Sequence, residues 1–261
     1  MNQTFNFQRF LLINRLEIAE KGRTQLLMAA VLVGALLLMM LPIMFSNEHK
    51  DTLSGLHTIS LVMLVLFGGS LYTNQVFGQY DSTNSAIAAL MVPASRLEKF
   101  LSTLLLNLAF IIPFFVLYLV LHFSAMEYAN NHLLSGEEKY ELMPEFAIYY
   151  SFMSAIVIQG VAFLGAIYFT KAAYIKTAAV LIVVIGIGTA INNFVAESMT
   201  PSPSAISATP FMQWRLQFGE LEEYYYVNVP EQIQHFVNLL PILILLSLWY
   251  IAYIRLVEKE V

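Results

Sequence analysis

The sequence predicts an all-α integral membrane protein, with six transmembrane helices, both termini cytoplasmic, and an amphipathic interfacial helix in front. Three observations carry this prediction. The first is composition. Of 261 residues, 58% are hydrophobic and 12% charged, with mean hydropathy +0.67, against roughly 45–50% and about 25% in soluble domains. So little charge cannot solvate a globular surface of this length, which excludes a soluble enzyme and a disordered chain. The second is length: six stretches reach the roughly 20 apolar residues that cross about 30 Å of hydrocarbon as helix. They are residues 26–45, 55–73, 100–122, 147–170, 175–195 and 236–254. The third is the placement of basic residues. Arg9, Arg15, Lys21 and Arg23 precede the first stretch, Arg96 and Lys99 follow the second, Lys171 and Lys176 follow the fourth, and Arg255 and Lys259 follow the sixth. The alternate links hold only Lys50, Lys139 and Arg215. Ten of the thirteen basic residues thus mark one side, which the positive-inside rule makes cytoplasmic.

Along the chain, residues 1–24 come first. Phe7, Phe10, Leu11 and Leu12 suit the acyl boundary, while Arg9, Arg15, Lys21 and Arg23 suit headgroups. A positive flank that only sets topology is the plainer alternative. The apolar run behind it starts too late, and is too long, for a cleaved signal peptide. The six spans form a single domain over residues 1–261, with no separate soluble unit expected. Gln159 and Pro241 make the fourth and sixth spans the least clean, and Pro113 and Pro241 are candidate kinks. Small residues stand four apart as Ala30 and Gly34, Ala162 and Ala166, and Gly186 and Ala190, which favours close helix association within or between chains. The longest outer loop covers residues 196–235, and the link between the second and third spans covers residues 74–99.

Chemical motifs are missing. There is no cysteine, which removes disulfides, thiolate metal sites and cysteine nucleophiles together. Neither a Gly-x-x-x-x-Gly-Lys loop nor a His-Glu-x-x-His pair occurs. The five histidines (His49, His57, His122, His132 and His235) fall at or beyond span edges without ligand spacing. His122 and His132 are expected to be a solvated pair near the outer loop. The doublets Glu137-Glu138 and Glu222-Glu223 lie in hydrophilic loops, not in a span. No catalytic residue, resident cofactor or metal is therefore expected. A net charge of −5 and a pI near 5.5 also argue against nucleic acid as a partner. Inside the spans the polar set is neutral: Asn107, Ser151, Ser154, Gln159, Asn192 and Asn193. Such residues join helices or line a path. With every ionisable residue outside the spans or at their ends, an ion-coupled carrier is disfavoured.

The second link is the most specific segment. Asp81 suits a helix cap, and Ser85, Ile87, Leu90 and Met91 belong to a short apolar stretch stranded outside any span. Pro93 ends that stretch, and Ser95-Arg96-Leu97-Glu98 has capping-box spacing before the third span. An apolar helix there either docks on a partner or lies flat on lipid.

The run Val92-Pro-Ala-Ser-Arg-Leu-Glu-Lys-Phe-Leu-Ser-Thr-Leu-Leu-Leu-Asn107 resembles the Pro-Ala-Ser-x-x-Glu-Lys-Phe segment of ABC transporter permeases of the type-2 (exporter) class, especially those of Bacteroidota. The motif covers about sixteen residues, and the six-span layout matches over the whole chain. The resemblance implies a permease half in the bacterial cytoplasmic (inner) membrane, paired with a second copy or paralogue. It also implies an ATP-binding-cassette ATPase subunit as partner, with ATP and Mg held there and not in this chain. Residues 81–91 would be the coupling helix, contacting the ATPase through Asp81, Ser85, Ile87, Leu90 and Met91. Arg96, Glu98 and Lys99 would anchor its exit to the membrane surface or the ATPase. Residues 5–23 would be a connecting helix, and residues 200–234 a partly re-entrant cap on the export path, with an aromatic belt as the plainer alternative. A different class, a non-transporting scaffold or sensor that recruits a cytoplasmic partner, uses the same helix. The transported substrate is not marked.

Overall fold

The computed structural model describes residues 5–45, 50–76, 93–132, 139–169, 171–199, 205–208, 214–217, 224–227 and 231–259. Helix α1 (Phe7–Met40) begins at Asn6, whose side chain accepts from the Gln8 and Arg9 backbone N–H groups at 2.9 and 3.3 Å. It then runs for 34 residues and gives way to a 3-10 turn (Leu41–Met44) entered at Pro42. No proline interrupts it, so the helix expected in front of the first span is the first part of α1 and not a separate element. At 1.5 Å per residue α1 is about 51 Å long, well beyond the roughly 30 Å of a hydrocarbon core.

Helix α2 (Lys50–Ser60) continues through a π-helical stretch (Leu61–Gly68) into α3 (Gly69–Val76), and together they make the second span. Helix α4 (Arg96–Asn131) passes through Pro113 and is 36 residues long. Helices α5 (Glu145–Tyr168), α6 (Ala173–Met199) and α7 (Glu231–Lys259) complete the bundle. Among the described residues six helical runs are long and apolar enough to cross a membrane, as expected of a multi-pass protein. The segment between α6 and α7 departs from the all-helical expectation. Strands β1 (Ala205–Ser207), β2 (Arg215–Gln217) and β3 (Tyr224–Tyr226) form an antiparallel sheet, with Leu216 opposite both Ile206 and Tyr225. A sheet with two open edges carries unpaired backbone groups that hydrocarbon does not tolerate. These described strands therefore suit water. Asn193 of α6 accepts from the Ala208 N–H at 2.9 Å and fastens the sheet to the bundle.

Three apolar clusters hold the helices among the described residues, two of them large. One joins Leu36 and Met40 of α1 with Val65, Tyr72, Phe114, Phe115 and Tyr118, closed by Ala155 of α5. The other joins Phe100 and Leu104 of α4 with Phe163 and Ile167 of α5 and Ala252 and Leu256 of α7. Of the small-residue pairs, Ala162 and Ala166 are buried, whereas Ala30, Gly186 and Ala190 face outward. The apolar middle of α6 has no buried residue. Helices α5 and α6 meet at a tight turn, where Ala172 adopts φ 50°, a left-handed conformation that non-glycine residues seldom take. Just before that turn, Gly165 lies against the Thr177 side chain, where a Cβ would overlap it.

That contact is testable against an open glycine. Gly165→Ala should lower the thermal midpoint of the detergent-solubilised protein, at a cost of ~1–3 kcal/mol for overpacking. Gly186→Ala, where a Cβ meets nothing within 4 Å, should leave the midpoint unchanged. Equal midpoints for the two variants would contradict the packing described.

Candidate coupling site

The chain between α3 and α4 enters and leaves the bundle through contacts with the first half of α1. At its exit, α4 begins with the capping box anticipated at Ser95-Arg96-Leu97-Glu98. The Glu98 N–H donates to Ser95 Oγ at 3.2 Å, and the Ser95 N–H donates to Glu98 Oε2 at 2.8 Å. The other carboxylate oxygen turns to α1. It accepts from the Asn6 N–H at 2.6 Å and from Arg9 Nη2 at 3.1 Å. One carboxylate thus serves the N-termini of two helices, where the positive ends of both backbone dipoles favour an anion. That arrangement accounts for a charge on a side chain with 0% exposure, a position that would otherwise cost several kcal/mol.

One turn further, Glu17 and Asn14 of α1 face Ser102 and Thr103 of α4. Ser102 Oγ lies 3.1 Å from both Asn14 Oδ1 and Glu17 Oε2, so its proton serves either acceptor. Thr103 Oγ1 lies 3.3 Å from Glu17 Oε1. These pairings, Arg9 with Glu98 and Glu17 with Ser102, show that α1 and α4 run parallel. At the entry, Lys21 Nζ donates to the carbonyl of Val76, the last residue of α3, at 3.3 Å. The first half of α1 therefore grips both ends of the link.

Several candidate residues take roles other than those expected. Asp81, Ser85, Ile87, Leu90 and Met91 lie outside the described residues. Glu98 and Lys99 are buried, with 0% and 6% exposure, and the Glu98 carboxylate is held by Ser95, Asn6 and Arg9 of the protein itself. Arg96 is half-buried and, with Leu97, lines a cavity of about 230 Å³ whose far wall is Tyr253, Ile254, Val257 and Glu258 of α7. Both described ends of the chain thus sit at the same end of the bundle as the link.

The neutral polar residues divide. Asn107 is a helix-joining group, its Oδ1 accepting from Thr73 Oγ1 at 2.9 Å. Gln159 is buried against Gly69, and its amide makes no hydrogen bond among the described residues. Ser154 and Asn192 are half-buried. The histidine expectation is corrected at the far end of the bundle. His122 pairs with buried His57, Nδ1 to Nδ1 at 3.1 Å, while exposed His132 stays on its own helix beside Tyr128. Sequence spacing cannot bring together two histidines 65 positions apart. Each one's place at a helix edge was the only available signal. Among the described residues no group of three metal-ligating side chains exists.

No family model, curated protein or solved structure matches this chain.

Removing the charge at the junction tests it. Glu98→Gln should cost about 2 kcal/mol, as expected for hydrogen bonds to a charged group, and should free the start of α1. Trypsin should then cut after Arg9 and Arg15 faster than in the unsubstituted protein, with cleavage in the α5–α6 turn unchanged. Unchanged cleavage at Arg9 would show that the carboxylate does not hold α1.

Proposed function

We propose that this chain is the membrane-spanning permease half of an ATP-binding-cassette exporter, coupled to a separate ATPase subunit on the cytoplasmic face of a bacterial inner membrane. The observation that carries this is the double grip of α1 on the link. Lys21 holds its entry at Val76, and Asn6 with Arg9 holds its exit at Glu98. A force applied to residues 77–92 would reach α1 and α4 together, and through them the core that contains Tyr118 and Phe115. The basic residues gathered at that end support a cytoplasmic side for it. The Pro-Ala-Ser-x-x-Glu-Lys-Phe resemblance supports the class.

Energy would enter from the partner. A lever of this kind shifts the bundle only if the ATPase contacts it differently in its two states. The outward-facing pairs Ala30 with Gly34 on α1 and Gly186 with Ala190 on α6 support a second copy beside the first. The chain itself performs no covalent step in this scheme.

Purification of the full chain from its membrane into lipid, followed by an ATPase assay, tests the proposal. An ATP-hydrolysing subunit should copurify, and deletion of residues 85–91 should release it or cut turnover severalfold. Recovery of the chain without any ATPase, or a deletion that alters neither turnover nor export, would overturn the permease assignment.

A further inference from the structure

At the end of the bundle away from the link, four segments meet on two buried imidazoles. His57 of α2 is 1% exposed and His122 of α4 is 5% exposed. His57 Nε2 lies 3.1 Å from the Met40 carbonyl at the end of α1, the two Nδ1 atoms lie 3.1 Å apart, and the Met143 N–H, just before α5, donates to His122 Nε2 at 3.2 Å. The partners settle where the protons are. A carbonyl can only accept, so His57 carries its proton on Nε2 and offers a bare Nδ1. A backbone N–H can only donate, so His122 Nε2 is bare and its proton sits on Nδ1, aimed at His57. Donation therefore runs one way, from Met143 through His122 and His57 to Met40, with no charge and no unmet group.

We propose that this histidine relay is a proton-operated latch, which ties α1, α2, α4 and the residues before α5 together while both rings are neutral. A second proton has no acceptor. On His57 Nδ1 it would face the N–H of His122, and on His122 Nε2 it would face the N–H of Met143. Either protonation breaks one of the three hydrogen bonds and leaves a cation in an apolar setting, so α4 separates from α2 or from the residues before α5. A metal held between the two Nδ1 atoms is the rival occupant. It would push the His122 proton onto Nε2, against the Met143 donor, so the geometry does not favour it.

Other titratable groups around the pair are few. Tyr118 of α4 stacks on His122 with ring centroids 6.0 Å apart and donates its hydroxyl to the His57 carbonyl at 3.2 Å. The turn Leu41–Met44 after α1 contains no titratable residue, and Lys50 and Asp51 begin α2 two turns away from His57. Glu127 of α4, Lys139, Glu141 and Glu145 are exposed. Tyr140 is buried in the neighbouring cluster with Ile43, Ala125 and Met126. No hydrogen bond joins Glu127, Lys139, Glu141 or Glu145 to either imidazole among the described residues.

The absence of cysteine makes the test direct. A single Ala125→Cys reporter, at a site 1% exposed, is labelled with maleimide in lipid nanodiscs at pH 7.5 and 5.5, either side of the ordinary imidazole value of about 6.5. Rates are divided by those of Ser124→Cys, an exposed site, to cancel the pH dependence of the thiol. The ratio should rise about tenfold on acidification, because an imidazole released to its ordinary value of about 6.5 takes up a proton that the closed latch does not. With His57→Gln and His122→Gln both added it should be independent of pH. No change in the unsubstituted background, or the same change with both histidines replaced, would overturn the latch. Nitrogen-15 spectra of histidine-labelled protein without the reporter supply a readout that needs no folding of the variant. At pH 7.5 they should show Nε2–H for His57 and Nδ1–H for His122, and the same tautomer on both rings would also overturn it.

Discussion

A helix bundle in lipid gains little from burying leucine, because the acyl chains outside are as apolar as the core inside. What sets one helix against the next is then close packing and the pairing of its few polar groups. In this protein those pairings are concentrated at the two ends. Near the amino terminus, Glu98 accepts from Ser95, Asn6 and Arg9, and Glu17 lies against Ser102 and Thr103. At the other end, His57 and His122 bridge α1, α2, α4 and the approach to α5. Both clusters lock α4 to its neighbours, and between them the helices meet through aromatic and aliphatic side chains such as Phe114, Phe115 and Tyr118. Removing a partner from either cluster leaves a polar group without its match where water is scarce, and that penalty keeps the register of α1 on α4 unique.

The arrangement gives the link between α3 and α4 mechanical consequence. A loop fastened at one end moves alone, whereas a loop gripped at both ends by the same helix transmits displacement to it. Since α1 and α4 run parallel and share a core, the proposed lever would carry displacement at Val76 or Glu98 towards the opposite end of the bundle, where the histidines sit. Helix α6 stands apart from this frame, touching it mainly through α5, and offers its apolar middle outward.

Much of the architecture was legible in the residues. Apolar runs of bilayer length named the six helices. Ser95 and Glu98 announced their capping box three positions apart, because a cap is a local interaction written in adjacent sequence. Side-chain pairing across the bundle was not legible. Glu98 looked like a surface charge because nothing local shows that Asn6 and Arg9 would fold over it. His57 looked like an edge residue because its partner lies on another helix. The length of α1 was misjudged for a related reason: a charged, amphipathic start suggests a separate helix, yet no residue between Phe7 and Met40 stops one. The small sheet was missed because three-residue strands carry almost no periodicity, and three tyrosines in a row read equally well as an interface belt.

The central claim is that force enters through the apolar stretch at residues 85–91. A photo-crosslinking amino acid in place of Ile87, activated in intact membranes, reports directly on what that stretch touches. Adducts with a protein that binds ATP, lost when residues 85–91 are scrambled elsewhere, are the expected result. Adducts with lipid alone would mean that the stretch lies flat on the bilayer, and would contradict the claim.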